Sequence, residues 1–133
     1  MKKASVGIIR AKDTGKFLLL LRPNDGTILS ETWTFVAGSI DEEDDDPLDT
    51  IKREIEEELV FDNTSIKFNY LGKIDREDIS LYYFLCNIET EEMPIINEEN
   101  LNWGWFEINR LPKNTFPETV QILEKLEKDG LFG

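Results

Sequence analysis

The residues best suited to chemistry lie in the run Arg53-Glu54-Ile55-Glu56-Glu57-Glu58. In an α-helix Glu54, Glu57 and Glu58, spaced by three and four, share one face. Projection at about 100° per residue puts them within an arc of roughly 100°. Three carboxylates this close repel one another, and a cation among them removes the repulsion. Mg²⁺ and Mn²⁺ are hard ions that take oxygen donors together with substrate phosphates. Arg53, about 100° round the helix from Glu54, can reach neighbouring carboxylates or a phosphate with its planar fork. A Glu-rich helix face is more often simply solvated, so the rest of the chain has to decide.

Composition narrows the choice. The 133 residues include no histidine and one cysteine, Cys86, which removes Ser/His/Asp and Cys/His catalysis, histidine-ligated metals, paired-cysteine zinc sites and internal disulfides. What remains is carboxylate, Lys, Arg or Tyr chemistry, or a metal held by oxygen. A formal charge of −13 repels DNA, long RNA and anionic lipid. A polyanionic small molecule can bind such a chain only where cations intervene. The longest apolar run, near Phe17 to Leu21, falls far short of the roughly 20 residues of a membrane span, and no leader pattern opens the sequence. The expectation is a soluble, cytoplasmic, single domain over residues 1–133, with Cys86 an inert core residue.

The carboxylates need a rigid support. From Pro47 to Leu59 the apolar residues Leu48, Ile51, Ile55 and Leu59 recur at spacings of three and four, which predicts a helix whose buried stripe runs beside the Glu54/Glu57/Glu58 face. Pro47 suits its first turn, and the acidic loop Asp41 to Asp46 complements its positive end. Ser5–Ala11 and Lys16–Arg22, around the turn-forming 12–15, predict a hairpin. Short strands are predicted at Trp33–Val36, followed by a turn at 37–39, at Ile66–Ile74, at Ile79–Ile88 and at Asn102–Ile108. A closing helix is predicted at Pro117–Lys128, with Val120, Leu123 and Leu126 facing inward. This order implies an α+β layered fold, a mixed β-sheet with both helices packed on it.

Gly38, a short loop, Asp45, and then Arg53 to Phe61 resemble the Nudix box: G, five residues, E, seven residues, REUxEExGU, with U a bulky apolar residue. The REUxEE core matches throughout, with Ile55 as U and Phe61 in the final apolar place. Trp33 to Gly38 is similar to the strand and glycine turn that precede the box, and Asn100 to Ile108 with Leu111-Pro112 resembles the family's later strand and loop. Four departures stand out. The interval from Gly38 to Asp45 is one residue too long, Asp45 replaces Glu, Ala37 replaces a common Gly, and Val60 replaces the second Gly. A β-branched residue fits poorly at a left-handed helix end, so Val60 implies either a different terminus or local strain.

The resemblance implies an α/β/α layered fold and hydrolysis of a nucleoside diphosphate linked to another group. Divalent ions would activate water and steady the leaving oxygen. It makes Glu57 and Glu58 the principal ligands of Mg²⁺ or Mn²⁺, Glu54 a ligand or general base, and Gly38 part of the metal site. Arg53 is the orienting cation. Glu98 and Glu99 are the later-loop candidates for the base, an extra ligand or a substrate contact. Arg22 is expected to meet a phosphate or base edge, while Phe35, Tyr82, Tyr83 and Trp105 are candidates to stack on a base, although aromatics on strands are more often core; Trp33 is expected to be packing. The favoured reaction is cleavage of a nucleoside triphosphate to monophosphate and pyrophosphate. The alternatives are a nucleotide-sugar or dinucleoside polyphosphate hydrolase, or a nucleotide-binding module without turnover. The protein is expected as a monomer or homodimer.

Overall fold

The computed structural model describes residues 2–44 and 46–132. In chain order it contains β1 (Lys2–Ala11), β2 (Phe17–Leu21), β3 (Trp33–Thr34), β4 (Val36–Ser39), α1 (Pro47–Leu59), a single 3-10 turn (Asn63–Ser65), β5 (Lys67–Asp75), β6 (Ile79–Ile88), β7 (Asn102–Phe106) and α2 (Pro117–Lys128). The strands form one mixed sheet in the order β3-β2-β1-β6-β5, with β4 added against β1 and β7 against β2. All pairings are antiparallel except β1 with β6, which run parallel over ten residues from Lys2↔Ile79 to Ala11↔Ile88.

Alternation along the strands divides the core into two layers. Ile9, Leu18, Leu20 and Val36 pack with Ile51, Ile55 and Leu59 of α1 on one face. Val6, Ile8, Phe17 and Leu19 pack with Leu123 and Leu126 of α2 on the other. Each of Ile51, Ile55 and Leu59 is wholly buried, contributing about 1.5–3 kcal/mol relative to exposure. Gly7 permits the close approach, because a Cβ there would press on the Ile51 side chain at 3.0 Å. Ser5, fully buried on β1, donates to the Pro47 carbonyl at 2.7 Å and fixes where the helix begins. The Asp46 side chain caps that end by accepting from the Asp49 N–H at 3.1 Å.

The α+β layered layout expected from the sequence is the one observed. Two local expectations need correction. Ala37, Gly38 and Ser39 are not a turn: they continue β4, with Ser5↔Gly38 and Val6↔Ala37 in register. The strand expected over Trp33–Val36 is interrupted at Phe35, which divides β3 on β2 from β4 on β1. The closing helix buries Leu123, Leu126 and Thr119, whereas Val120 is only partly covered. Trp33 packs edge-on against Phe106, with ring centroids 5.1 Å apart. Cys86 is completely buried, and burial pushes its thiol well above the usual range.

Candidate active site

The acidic residues of α1 straddle the boundary between core and solvent. Glu57 is exposed, Glu54 half-buried, and Glu58 only 4% exposed. Thus Glu58, beside the buried Ile55 and Leu59, is itself buried rather than solvent-facing, and it stands near Glu99 and Asn100. Its pKa is pushed up to about 9, first by burial, next by a hydrogen bond with the Glu99 carboxyl, then by the charges of Glu54 and Glu99. Glu54 is raised too, by burial and then by Glu57 and Glu99, with Arg53 opposing. Glu58 Oε2 is buried without a hydrogen-bond partner.

Arg53 turns from this cluster toward the β4–α1 loop. Its guanidinium bonds Asp41 Oδ2 and Asp44 Oδ2, each at 3.1 Å, and remains 3.8 Å from Glu54 Oε1. Asp44 Oδ2 also accepts from the Thr50 hydroxyl at 2.8 Å and the Asp41 N–H at 2.9 Å. These donors, Thr50 foremost, hold the Asp44 carboxyl below the usual range. Asp45, set at the box's acidic place from the sequence, lies outside the described residues. Asp44, the residue before it, is the acid that Arg53 and Thr50 hold. The signal was available: five residues separate Gly38 from Asp44, so the extra residue falls between Asp44 and Arg53.

Gly38 serves through its missing side chain, since a Cβ there would overlap the Glu54 carboxyl group. At the other end of α1, Val60 adopts φ 59°, the left-handed conformation usually left to glycine, with its N–H bonded to the Glu56 carbonyl. The helix therefore ends in the expected geometry with the unexpected residue, and the strain stays local to an exposed position.

Across the sheet surface Arg22, Leu29, Phe35, Ala37, Glu58 and Asn100 border a small cavity of about 30 Å³. Arg22 bonds Asp25 Oδ2 at 2.9 Å, and the nearby Arg22 charge draws the Glu58 pKa slightly back down. Phe35 is 5% exposed and is both core and cavity wall. Asn100, which sequence reasoning missed, is equally buried, and neither polar atom of its side chain has a partner among the described residues. Nothing in its neighbours Glu99 and Leu101 signalled burial. Glu98 is exposed, and among the described residues no hydrogen bond or ion pair joins it to the cluster. Tyr82 and Trp105 pack against the α1-side core, and the Trp105 indole donates to the Glu92 carbonyl at 2.9 Å.

The sequence model of the NUDIX domain matches residues 1–126. The chain belongs to the Nudix family. The dihydroneopterin triphosphate diphosphatase of Haemophilus influenzae is 30% identical, with 74% of this chain and 69% of that protein covered. The E. coli dihydroneopterin triphosphate pyrophosphohydrolase superposes with a TM-score of 0.77 at 18% identity, covering 96% and 95% of the two chains. A C. elegans Ap4A hydrolase superposes at 0.76 and 22% identity, covering 98% of each. The protein is accordingly a Nudix pyrophosphohydrolase.

Nudix hydrolases generally use divalent metals, and the Nudix helix here fits one. Its donors are hard oxygens, burial and, after it, mutual repulsion raise two of their pKa values, and Glu58 Oε2 is an orphaned buried acceptor. Among the described residues no three acidic groups already converge at ligand distance. No helix among the described residues is long and apolar enough to cross a membrane.

Proposed function

We propose that this Nudix pyrophosphohydrolase cleaves a triphosphate ester of a nucleoside-like alcohol to the monophosphate and pyrophosphate, with Mg²⁺ or Mn²⁺ as cofactor. The observation that carries this reading is Glu58, with its orphaned buried oxygen and the charges of Glu54 and Glu99 close by, at the border of the cavity that Arg22 and Asn100 also line. The triphosphate specificity named for the H. influenzae relative and the E. coli neighbour supports it. When bound, the divalent ions would neutralise the diphosphate and lower the pKa of a coordinated water.

The roles of the chain's own groups follow from their positions. Glu58 and the exposed Glu57 are the helix ligands, and Glu54 is a ligand or the base. Glu99 is the later-loop contributor in preference to Glu98, because its carboxyl already hydrogen-bonds with Glu58. Arg53 fixes the acidic loop through Asp41 and Asp44 and so holds β4 and α1 in position around Gly38. Arg22 is the cation available to a phosphate oxygen.

The test is pyrophosphate release from nucleoside triphosphates, 7,8-dihydroneopterin triphosphate, nucleotide sugars and dinucleoside polyphosphates, with Mg²⁺, Mn²⁺ or chelator. Metal-dependent release from a triphosphate is expected. Turnover confined to dinucleoside polyphosphates or nucleotide sugars would overturn the substrate assignment. Silence of the folded protein across the panel would overturn the catalytic one.

A further inference from the structure

The wall of the small cavity beside Glu58 carries polar atoms that the chain itself leaves unbonded. Asn100 is buried, and neither its Oδ1 nor its Nδ2 has a partner among the described residues. Arg22 and Glu58 line the same cavity, and Arg22 Nε and Glu58 Oε2 are likewise buried and unpartnered. Buried polar atoms without partners are unfavourable and uncommon in folded chains. Three such residues around one space of about 30 Å³ mark a place that bonds something from outside the chain. Since neither protein nor solvent meets the Asn100 amide, the cavity is where its partner must come from. The space admits a group about the size of one oxygen.

The fold sets this amide beside the Arg22 guanidinium. β7 runs antiparallel to β2 with Leu21 opposite Asn102, and the Leu101 N–H bonds the Leu21 carbonyl at 2.8 Å. The residue that follows β2 and those that precede β7 therefore meet at one end of the ladder. Arg22 is itself held: Nη2 donates to Asp25 Oδ2 at 2.9 Å, while Asp25 Oδ1 accepts from both the N–H and the hydroxyl of Thr27. One arm of the guanidinium is tied down and Nε is left over. The cavity wall thus offers two N–H donors, one cationic and one neutral. A phosphoryl oxygen, with several lone pairs and negative charge, accepts from both. The loop reads Asn97-Glu98-Glu99-Asn100. A further carboxylate at position 100 would repel such an anion, whereas an amide donates without adding to the −13 charge of the chain.

We infer that Asn100 contacts the substrate: its Nδ2 donates to a phosphoryl oxygen, the same oxygen that Arg22 Nε holds, and the pair sets the phosphate chain against the Glu58 end of α1. This rests on the proposed triphosphate cleavage for the identity of the anion. The ordinary alternative is that Asn100 only stabilises the turn that leads into β7.

Binding and melting together separate these. The probe is inorganic triphosphate with Ca²⁺, an ion that takes the same oxygen donors as Mg²⁺, and its affinity is read by calorimetry. Asn100→Leu keeps the branched shape and removes both polar atoms. A hydrogen bond to a charged group corresponds to about a tenfold to hundredfold change in affinity. Triphosphate affinity should therefore fall at least about tenfold in Asn100→Leu, while Tm in chelator stays level or rises because an unpartnered amide has left the interior. A lower Tm with triphosphate affinity unchanged is what a structural Asn predicts, and it would overturn the proposal. The shared oxygen is tested by a double-mutant cycle of Arg22→Gln with Asn100→Ala. The combined loss of affinity should fall short of the product of the single losses by at least about threefold; independent losses, or none at Asn100→Ala, would overturn the contact. Where Asn100→Leu loses both stability and affinity, or does not fold, this cycle decides. Binding that depends on Asn100 without turnover of any nucleotide in Mg²⁺ would sink the catalytic reading and leave this one standing. Turnover with triphosphate affinity unmoved by Asn100→Leu would do the opposite.

Discussion

Replacing Glu58 by Gln is expected to stabilise the metal-free protein while abolishing turnover. The magnitude follows from the position of Glu58. Its carboxyl, 4% exposed, titrates at about 9 in the folded chain against 4.5 for an ordinary Glu. Between those values the folded state holds a proton that the unfolded chain has released, so stability falls as pH rises through this window, by about 1.4 kcal/mol per pH unit. At about pH 7.5, some three units above the ordinary value, the penalty has a ceiling of about 4 kcal/mol. Gln has nearly the same shape and carries no such penalty, although its amide meets Glu99 less well than a carboxylic acid does. A gain of about 1–3 kcal/mol is the expected outcome, or several degrees in Tm for a chain of this size. Melting wild type and variant in chelator from pH 5 to 9 measures it: the difference should grow with pH, and Mg²⁺ should raise the wild-type Tm by mass action while leaving the variant largely unmoved. A wild-type-minus-variant difference that stays flat across this range, or a variant that melts below wild type throughout, would refute the reasoning.

Other changes follow from the same contacts. Gly38→Ala should force the Glu54 carboxyl aside; a displacement of about 1 Å at a catalytic group costs roughly a hundredfold in rate, and steady-state turnover should show this with the urea midpoint little changed. Val60→Gly should stabilise by about 1 kcal/mol, since left-handed strain of roughly 1–2 kcal/mol is relieved and part is returned as chain entropy; urea unfolding reads it. Arg53→Lys loses the fork that joins Asp41 to Asp44, and the Mg²⁺ concentration needed for half-maximal rate should rise about tenfold, of the order of one charge-assisted hydrogen bond.

The sequence made much of the helix face legible, because a 3.6-residue period fixes neighbours without reference to anything distant. Glu54, Glu57, Glu58 and the buried Ile51/Ile55/Leu59 stripe could be assigned that way, and Pro47 with the acids before it marked the start. What lay hidden depended on pairing. Gly38 looked like a turn because its role, to leave room for Glu54 inside a strand, exists only once β4 lies on β1. Asn100 gave no local sign of burial, and Glu118 reads as an ordinary acid in the first turn of a helix until Tyr83 and Arg76 arrive from β6 and the turn before it. The choice between Glu98 and Glu99 likewise depends on loop direction, which adjacent identical residues do not encode.

The parallel β1–β6 ladder has a consequence for how the molecule comes into being. Residues 2–11 emerge well before residues 79–88 during synthesis, yet that later strand covers one whole side of them. Until then β1, which carries Ile8 and Ile9, has only the partial cover of β2 and β4. Closure of the central sheet therefore waits for most of the chain, and such non-local pairing is slow. The nascent protein is expected to pass through a stage in which an apolar strand edge is open, and its yield should depend more on temperature and chaperone supply during translation than the stability of the finished domain would suggest.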